Sequence, residues 1–102
     1  MDIRQLNALV AVVDTGSFSA AAQTLHTVQS NVSTHIARLE QELSVSLIDR
    51  RTGVLTEEGA LVVERARRVQ TELESISLDV KALHTEVSGI VRLGVIGTTG
   101  RW

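Results

Sequence analysis

The side chains best suited to chemistry on a partner lie close together between positions 29 and 38: Gln29, Ser30, Asn31, Ser33, Thr34 and Arg38. A glutamine amide offers a donor beside an acceptor, which matches the exposed edge of adenine. Serine and threonine hydroxyls both donate and accept, and arginine pairs with phosphate. A second pair of cations, Arg50 and Arg51, follows. These residue types make a hydrogen-bonding surface for a polar, anionic partner. They do not make a reaction centre. His26, His35 and His84 are scattered without metal-ligand spacing, and no base is placed to activate Ser30 or Ser33. The chain has no cysteine, which excludes disulfides and thiolate metal sites. The sequence therefore predicts no catalytic residues, no metal, no cofactor and no enzymatic activity.

Such a surface has to be held by a helix. Val32, Ile36, Leu39 and Leu43 fall at i, i+4, i+7 and i+11, a narrow apolar stripe. At about 100° per residue, Ser30, Ser33, Thr34, Ala37 and Arg38 project away from it. Upstream, Ser19 is placed to cap a short helix driven by Ala20, Ala21 and Ala22 and closed by Leu25. His26 and Thr27 form the turn between the two helices, with the Thr27 hydroxyl set to accept from the amide of Gln29 or Ser30. In a helix-turn-helix the first residues of the second helix reach base edges. Gln29, Ser30, Ser33 and Thr34 occupy that place, and Asn31 on the flank faces a phosphate. Leu6, Leu9, Val10 and Val13 predict an earlier amphipathic helix over Ile3 to Asp14, stopped by Gly16, with Phe18 plugging the core.

Beyond Leu43, Leu47–Ile48 and Val54–Leu55 read as two very short strands joined at Thr52–Gly53, a wing with Arg50 and Arg51 at its tip for a phosphate or the minor groove. Thr56, followed by Glu57 and Glu58, opens the last helix as its cap. There Val62, Ala66, Val69, Leu73, Ile76, Val80, Leu83 and Val87 alternate by four and three residues. That is an unbroken heptad seam, longer than so small a domain can cover, and its natural partner is the same helix of a second copy. Ser88–Gly89 ends the helix. Ile90 to Ile96 is strand-like, and Gly97–Thr98–Thr99–Gly100 is a turn. A lone strand needs a sheet, so the sequence reads as stopping inside a second domain.

Composition sets the outer limits. Hydrophobic residues make up 43% and aromatics 2%, so the core is aliphatic; proline is absent, which suits helices. No stretch has the length of a membrane span and the N-terminus lacks a signal-peptide layout, so a cytoplasmic, nucleoid-associated location is expected. Net charge is −2. Residues 1–56 hold four arginines against five carboxylates. Affinity for nucleic acid must come from local placement of arginines and helix ends, because there is no global positive field.

The order of MDIRQLNALVAVVDTGSFSAAAQTLHTVQSNVSTHIARLEQEL, then LIDR, then LTEEG, resembles the N-terminal part of LysR-type transcriptional regulators, and the resemblance covers essentially the whole chain. It implies a winged helix-turn-helix, a linker helix that pairs two subunits in antiparallel fashion, and a C-terminal effector-binding domain of periplasmic-binding-protein type. It also implies action as dimers or tetramers at interrupted palindromes near promoters. By that resemblance the base-contacting positions fall on Gln29, Ser30, Ser33 and Thr34, and the phosphate contacts on Arg38 and Arg50. The effector pocket would begin at Thr98 and Thr99, incomplete here, so any small-molecule effector belongs to the missing C-terminal domain. Many members carry proline where Ser30 stands, arginine where Thr34 stands and phenylalanine where Ile48 stands. The turn after Arg50 is about two residues shorter than is usual in the family.

The expected fold is mainly α: a winged helix-turn-helix over residues 1–59, built from a three-helix core and a short two-stranded wing. A coiled-coil linker helix over 60–88 and the start of an effector-binding domain over 89–102 follow. The expected function is sequence-specific binding of double-stranded DNA by a homodimer or higher oligomer that regulates transcription. The alternative is a winged-helix protein-interaction module that dimerises through its coiled coil and binds no specific DNA.

Overall fold

A computed structural model of the chain describes residues 1–89, with side chains described through His84. Four helices follow in order: α1 (Ile3–Thr15), α2 (Phe18–Thr24), α3 (Gln29–Leu43) and α4 (Glu57–Gly89). The chain divides into two compact units. One spans Met1–Arg68 and the other begins at Val69. The expected strand over 90–96 and the turn with Thr98 and Thr99 lie outside the described residues. Among the described residues no helix is long and apolar enough to cross a membrane.

The first unit is a three-helix head around an aliphatic core. α1 packs on both α2 and α3, and α2 packs on α3. Leu9, Val32, Ile36, Leu39 and Leu47 are its largest fully buried side chains. Each contributes about 1.5–3 kcal/mol of apolar burial. Ala21 and Ala22 are buried where α2 meets its neighbours; side chains that small allow close approach. Phe18, Leu25 and Leu43 are half-buried and pack on the rim of this cluster.

The helix ends follow the local sequence chemistry at some positions and depart from it at others. Asp2 caps α1: its carboxylate accepts from the Gln5 amide at 3.0 Å, and that bond, aided by Arg4, holds the Asp2 carboxyl below its ordinary value. Gly16 ends α1 at φ 89°, a left-handed conformation that glycine adopts without strain. The cap of α2 is Ser17, whose hydroxyl accepts from the Ala20 amide at 3.0 Å. Ser19 is the cap expected from the sequence, but the helix begins at Phe18, two residues earlier than a Ser19 cap would need, so Ser19 sits inside the first turn. Thr27 does not cap α3 either. Val28 holds that position and makes no side-chain hydrogen bond; the Thr27 hydroxyl accepts from the Asn31 amide group at 2.8 Å. His26, as expected, makes the turn, at φ 58°.

The two predicted wing strands reduce to one antiparallel bridge between Ile48 and Leu55. The reason is length: Asp49 and Val54 already bond at 2.9 Å, and the Gly53 amide returns to the Asp49 carbonyl at 2.7 Å. That leaves too few residues for a second rung. Thr56 caps α4 as predicted, accepting from the Gly59 amide at 2.9 Å. Its hydroxyl also donates to the Ser46 carbonyl at 2.6 Å, which ties the start of α4 to the segment entering the wing.

The seam along α4 is divided between two roles. Ala66 is 1% exposed and belongs to the core of the first unit together with Val63, while Val62 packs half-buried against it. These first positions of the predicted dimer seam are therefore already covered within one chain. Val69, Leu73, Ile76, Val80 and Leu83 remain exposed, as do Leu61 and Leu78 off the seam. Nothing is described of the Val87 side chain.

Candidate nucleic-acid interface

Burial of Val32, Ile36 and Leu39 on one side of α3 leaves its opposite side to solvent. Gln29, Ser30, Asn31, Thr34 and Arg38 are all exposed, and Ser33 is half-buried. The structure thus brings the six predicted residues of this helix together on one accessible face. Asn31 is engaged with Thr27, which orients its amide along the flank. No side chain caps α3 at Val28, so the partial positive charge of the helix start is not met by a side-chain acceptor there.

Arg50 and Arg51 separate sharply. The Arg51 side chain is 90% exposed and lies a loose 3.8 Å from Asp49. The Asp49 carboxylate also accepts from the Arg51 backbone amide at 2.9 Å and so shapes the turn. Arg50 does not stand at a free tip. It folds back onto the head and donates to the Ser33 hydroxyl at 3.3 Å and to Glu40 at 3.4 Å. Its guanidinium lies 5.3 Å from the centre of the Phe18 ring, within cation–π range.

Glu40 joins this candidate site although no sequence motif singles it out. One carboxylate oxygen faces Arg50; the other accepts from the Leu47 amide at 2.8 Å and the Ile48 amide at 3.4 Å. A single acid thereby fastens the end of α3 to the base of the wing. A signal existed. An acid in the last turn of a helix opposes the helix dipole, so its presence there asks for a specific partner. No local pattern names amides seven and eight residues away.

Two further ion pairs frame the head. The N-terminal ammonium pairs with Glu42, and Arg67 of α4 grips Asp14 at the end of α1 with a two-nitrogen fork at 2.7 and 3.3 Å. Hydrogen bonding from Arg67 holds the Asp14 carboxyl below its ordinary value, against a small opposing effect of burial. Among the described residues no group of three or more histidine, aspartate or glutamate side chains is arranged to hold a metal ion.

The arrangement can present hydrogen-bond donors and acceptors to a groove and two exposed cations, Arg38 and Arg51, to a backbone. The comparisons agree with that chemistry. The family model described as "Bacterial regulatory helix-turn-helix protein, lysR family" matches residues 3–60. An uncharacterized HTH-type transcriptional regulator of Azotobacter vinelandii is 45% identical over 95 residues, covering 91% of this chain and 66% of that protein. The HTH-type transcriptional regulator CrgA of Neisseria meningitidis is 40% identical over 91 residues, covering 87% of this chain and 30% of that one. Among solved structures, the BenM DNA-binding domain in complex with the catB site 1 DNA matches with a TM-score of 0.76 and 30% identity. The match covers 83% of this chain and 94% of that one. The chain thus spans just under two thirds of the Azotobacter relative and about a third of the length of other curated relatives.

Proposed function

Since the chain belongs to the lysR family of bacterial regulatory helix-turn-helix proteins, we propose that it is the DNA-reading and pairing part of a transcriptional regulator. In this reading α3 enters the major groove of double-stranded DNA. Gln29, Ser30, Ser33 and Thr34 meet base edges, while Asn31, Arg38 and Arg51 meet phosphates. One observation carries the proposal: Val32, Ile36 and Leu39 are fully buried while Gln29, Ser30 and Thr34, on the same helix, are exposed beside an uncapped N-terminus. A helix built only for packing has no need of that short-chain polar face.

Two copies pair through α4 along the exposed Val69, Leu73, Ile76, Val80 and Leu83, with Val87 continuing the heptad in sequence. Five of these apolar side chains stand in water in the single chain. Their heptad spacing is self-complementary, so a second copy supplies the matching ridge. A pair then reads two half-sites, which suits an interrupted palindrome. Residues 89–102, with Thr98 and Thr99, open the effector-binding domain that the longer relatives leave room for.

Selection from a random duplex library followed by fluorescence anisotropy on the enriched duplex tests this reading. The expected result is a clear preference over a scrambled duplex at moderate salt. Gln29→Ala should relax the choice at one base pair by about 1–3 kcal/mol. Equal affinity for enriched and scrambled duplexes would defeat the proposal and leave the protein-interaction reading in its place.

A further inference from the structure

The two neighbouring arginines of the wing turn do different work. Arg51 is almost fully exposed, with only a loose contact to Asp49. Arg50 is tied at three points: the Ser33 hydroxyl at 3.3 Å, Glu40 at 3.4 Å, and the face of Phe18 at 5.3 Å from the ring centre. Each contact is modest alone. Together they hold the planar guanidinium by its two terminal nitrogens and one face, and its charge is already partly neutralised by Glu40.

We propose that Arg50 is a positioning residue for Ser33, and that Arg51 alone carries the phosphate contact of the turn. The proposal rests on the DNA-binding reading above and withdraws Arg50 from the phosphate contacts that the family resemblance implies. The logic is that of a hydroxyl with one proton. Arg50 has no acceptor, so Ser33 Oγ must accept from it. That interaction occupies a lone pair and leaves the Ser33 proton to be donated outward, to an acceptor on the partner. With one of its two lone pairs taken, the hydroxyl is no longer a free rotor, and Arg50 biases Ser33 towards donating its proton to base edges that offer an acceptor. Glu40, held by the Leu47 and Ile48 amides, keeps the guanidinium in place, and Phe18 limits its tilt.

The test uses the whole chain in six forms: wild type, Arg50→Ala, Arg50→Lys, Arg51→Ala, Ser33→Ala and the Ser33→Ala/Arg50→Ala double variant. The probe is the duplex enriched by the wild type from a random library, with single-base variants of it, titrated over a salt series. Failure of the wild type to enrich any duplex strikes the DNA-binding reading itself and is seen before any variant is made. Given enrichment, Arg51→Ala should lower the slope of log K against log salt by about 0.9, the signature of one lost phosphate contact. Arg50→Ala should leave that slope unchanged and lower discrimination roughly fivefold, the worth of one directed hydrogen bond. The loss should fall at the base pairs where Ser33→Ala also loses it. The double variant should be no worse than Ser33→Ala. Arg50→Lys keeps the charge but loses the fork, and should match Arg50→Ala.

The proposal is overturned by a slope that falls with Arg50→Ala as it does with Arg51→Ala. It is overturned equally by effects of Arg50→Ala and Ser33→Ala that multiply, or by Ser33→Ala leaving discrimination intact. Thermal unfolding is followed for every form. If Arg50→Ala fails to fold, Arg50→Lys carries the comparison, and failure of both would assign Arg50 to the fold and not to Ser33.

Discussion

Gly59 stands where the first turn of α4 crosses the chain entering the wing, and it leaves no room for a side chain. A Cβ built there would lie 1.9 Å from the Leu47 carbonyl oxygen, 2.9 Å from its carbon and 3.1 Å from Leu55 Cδ2. The obstacle is backbone, and it cannot retreat. Leu47 is 0% exposed, its amide donates to Glu40 at 2.8 Å and its carbonyl accepts from the Thr56 amide at 3.0 Å. Gly59→Ala must therefore push α4 off this crossing. Alanine gains about 1 kcal/mol in helix propensity. Against that stand about 1 kcal/mol for the Thr56–Leu47 bond, about 1–3 kcal/mol for overpacking and roughly 1 kcal/mol from partly unseating Leu47. The expected net loss is about 2–4 kcal/mol, a fall in Tm of roughly 15–30 °C for a unit of this size. Thermal and urea unfolding followed by far-UV circular dichroism would measure it. Ala60→Gly, one residue on and exposed, serves as the control and should cost only about 1 kcal/mol in propensity. A Gly59→Ala chain as stable as the wild type would refute the close approach and the packing argument built on it.

Four other outcomes are expected. Ser17→Ala should cost about 1 kcal/mol through loss of the α2 cap, whereas Ser19→Ala should change Tm little. Asp14→Asn should lower Tm near neutral pH by removing the Arg67 fork. Because folding depresses the Asp14 pKa, the pair's stabilisation is present above the ordinary value of 3.8 and disappears as pH falls through the depressed one. Wild-type and Asp14→Asn melting curves should therefore converge in acid, and a gap that persists there would show another origin. Leu73→Glu should weaken the dimer by about two to four orders of magnitude, from about 1.5–3 kcal/mol of lost burial in each copy. Sedimentation should then show a folded single chain. Ala66→Glu should instead unfold the head, since that side chain is 1% exposed inside one chain; normal melting with impaired pairing would reverse the assignment.

Periodicity made most of this fold legible. The apolar stripe of Val32, Ile36 and Leu39 identified both the helix and the face it leaves open, because a 3.6-residue repeat is an average over many side chains. Single-residue chemistry was read less well. Ser17 and Ser19 are equally good caps by composition, and only the path of the chain after Gly16 decides between them. Thr27 would cap α3 if the helix began one residue earlier; in place it bonds Asn31. The heptad along α4 was visible throughout, but spacing cannot say which turns meet the same chain and which a second one. Arg50 and Arg51 are adjacent and identical in the sequence. Their opposite fates depend on Ser33, Glu40 and Phe18, which lie ten to thirty-two positions away, and no local rule joins residues across such distances.

The division of labour along α4 bears on how subunits are made and exchanged. Val63 and Ala66 complete the head before any mate arrives, so folding of that unit should not depend on protein concentration. Newly synthesised copies can mature singly, and mated copies can part and re-pair without melting. If copies pair as proposed, choice of mate rests on the exposed stretch beginning at Val69. On that reading, drift there splits one lineage into two that no longer mix, while the buried core of the head is untouched.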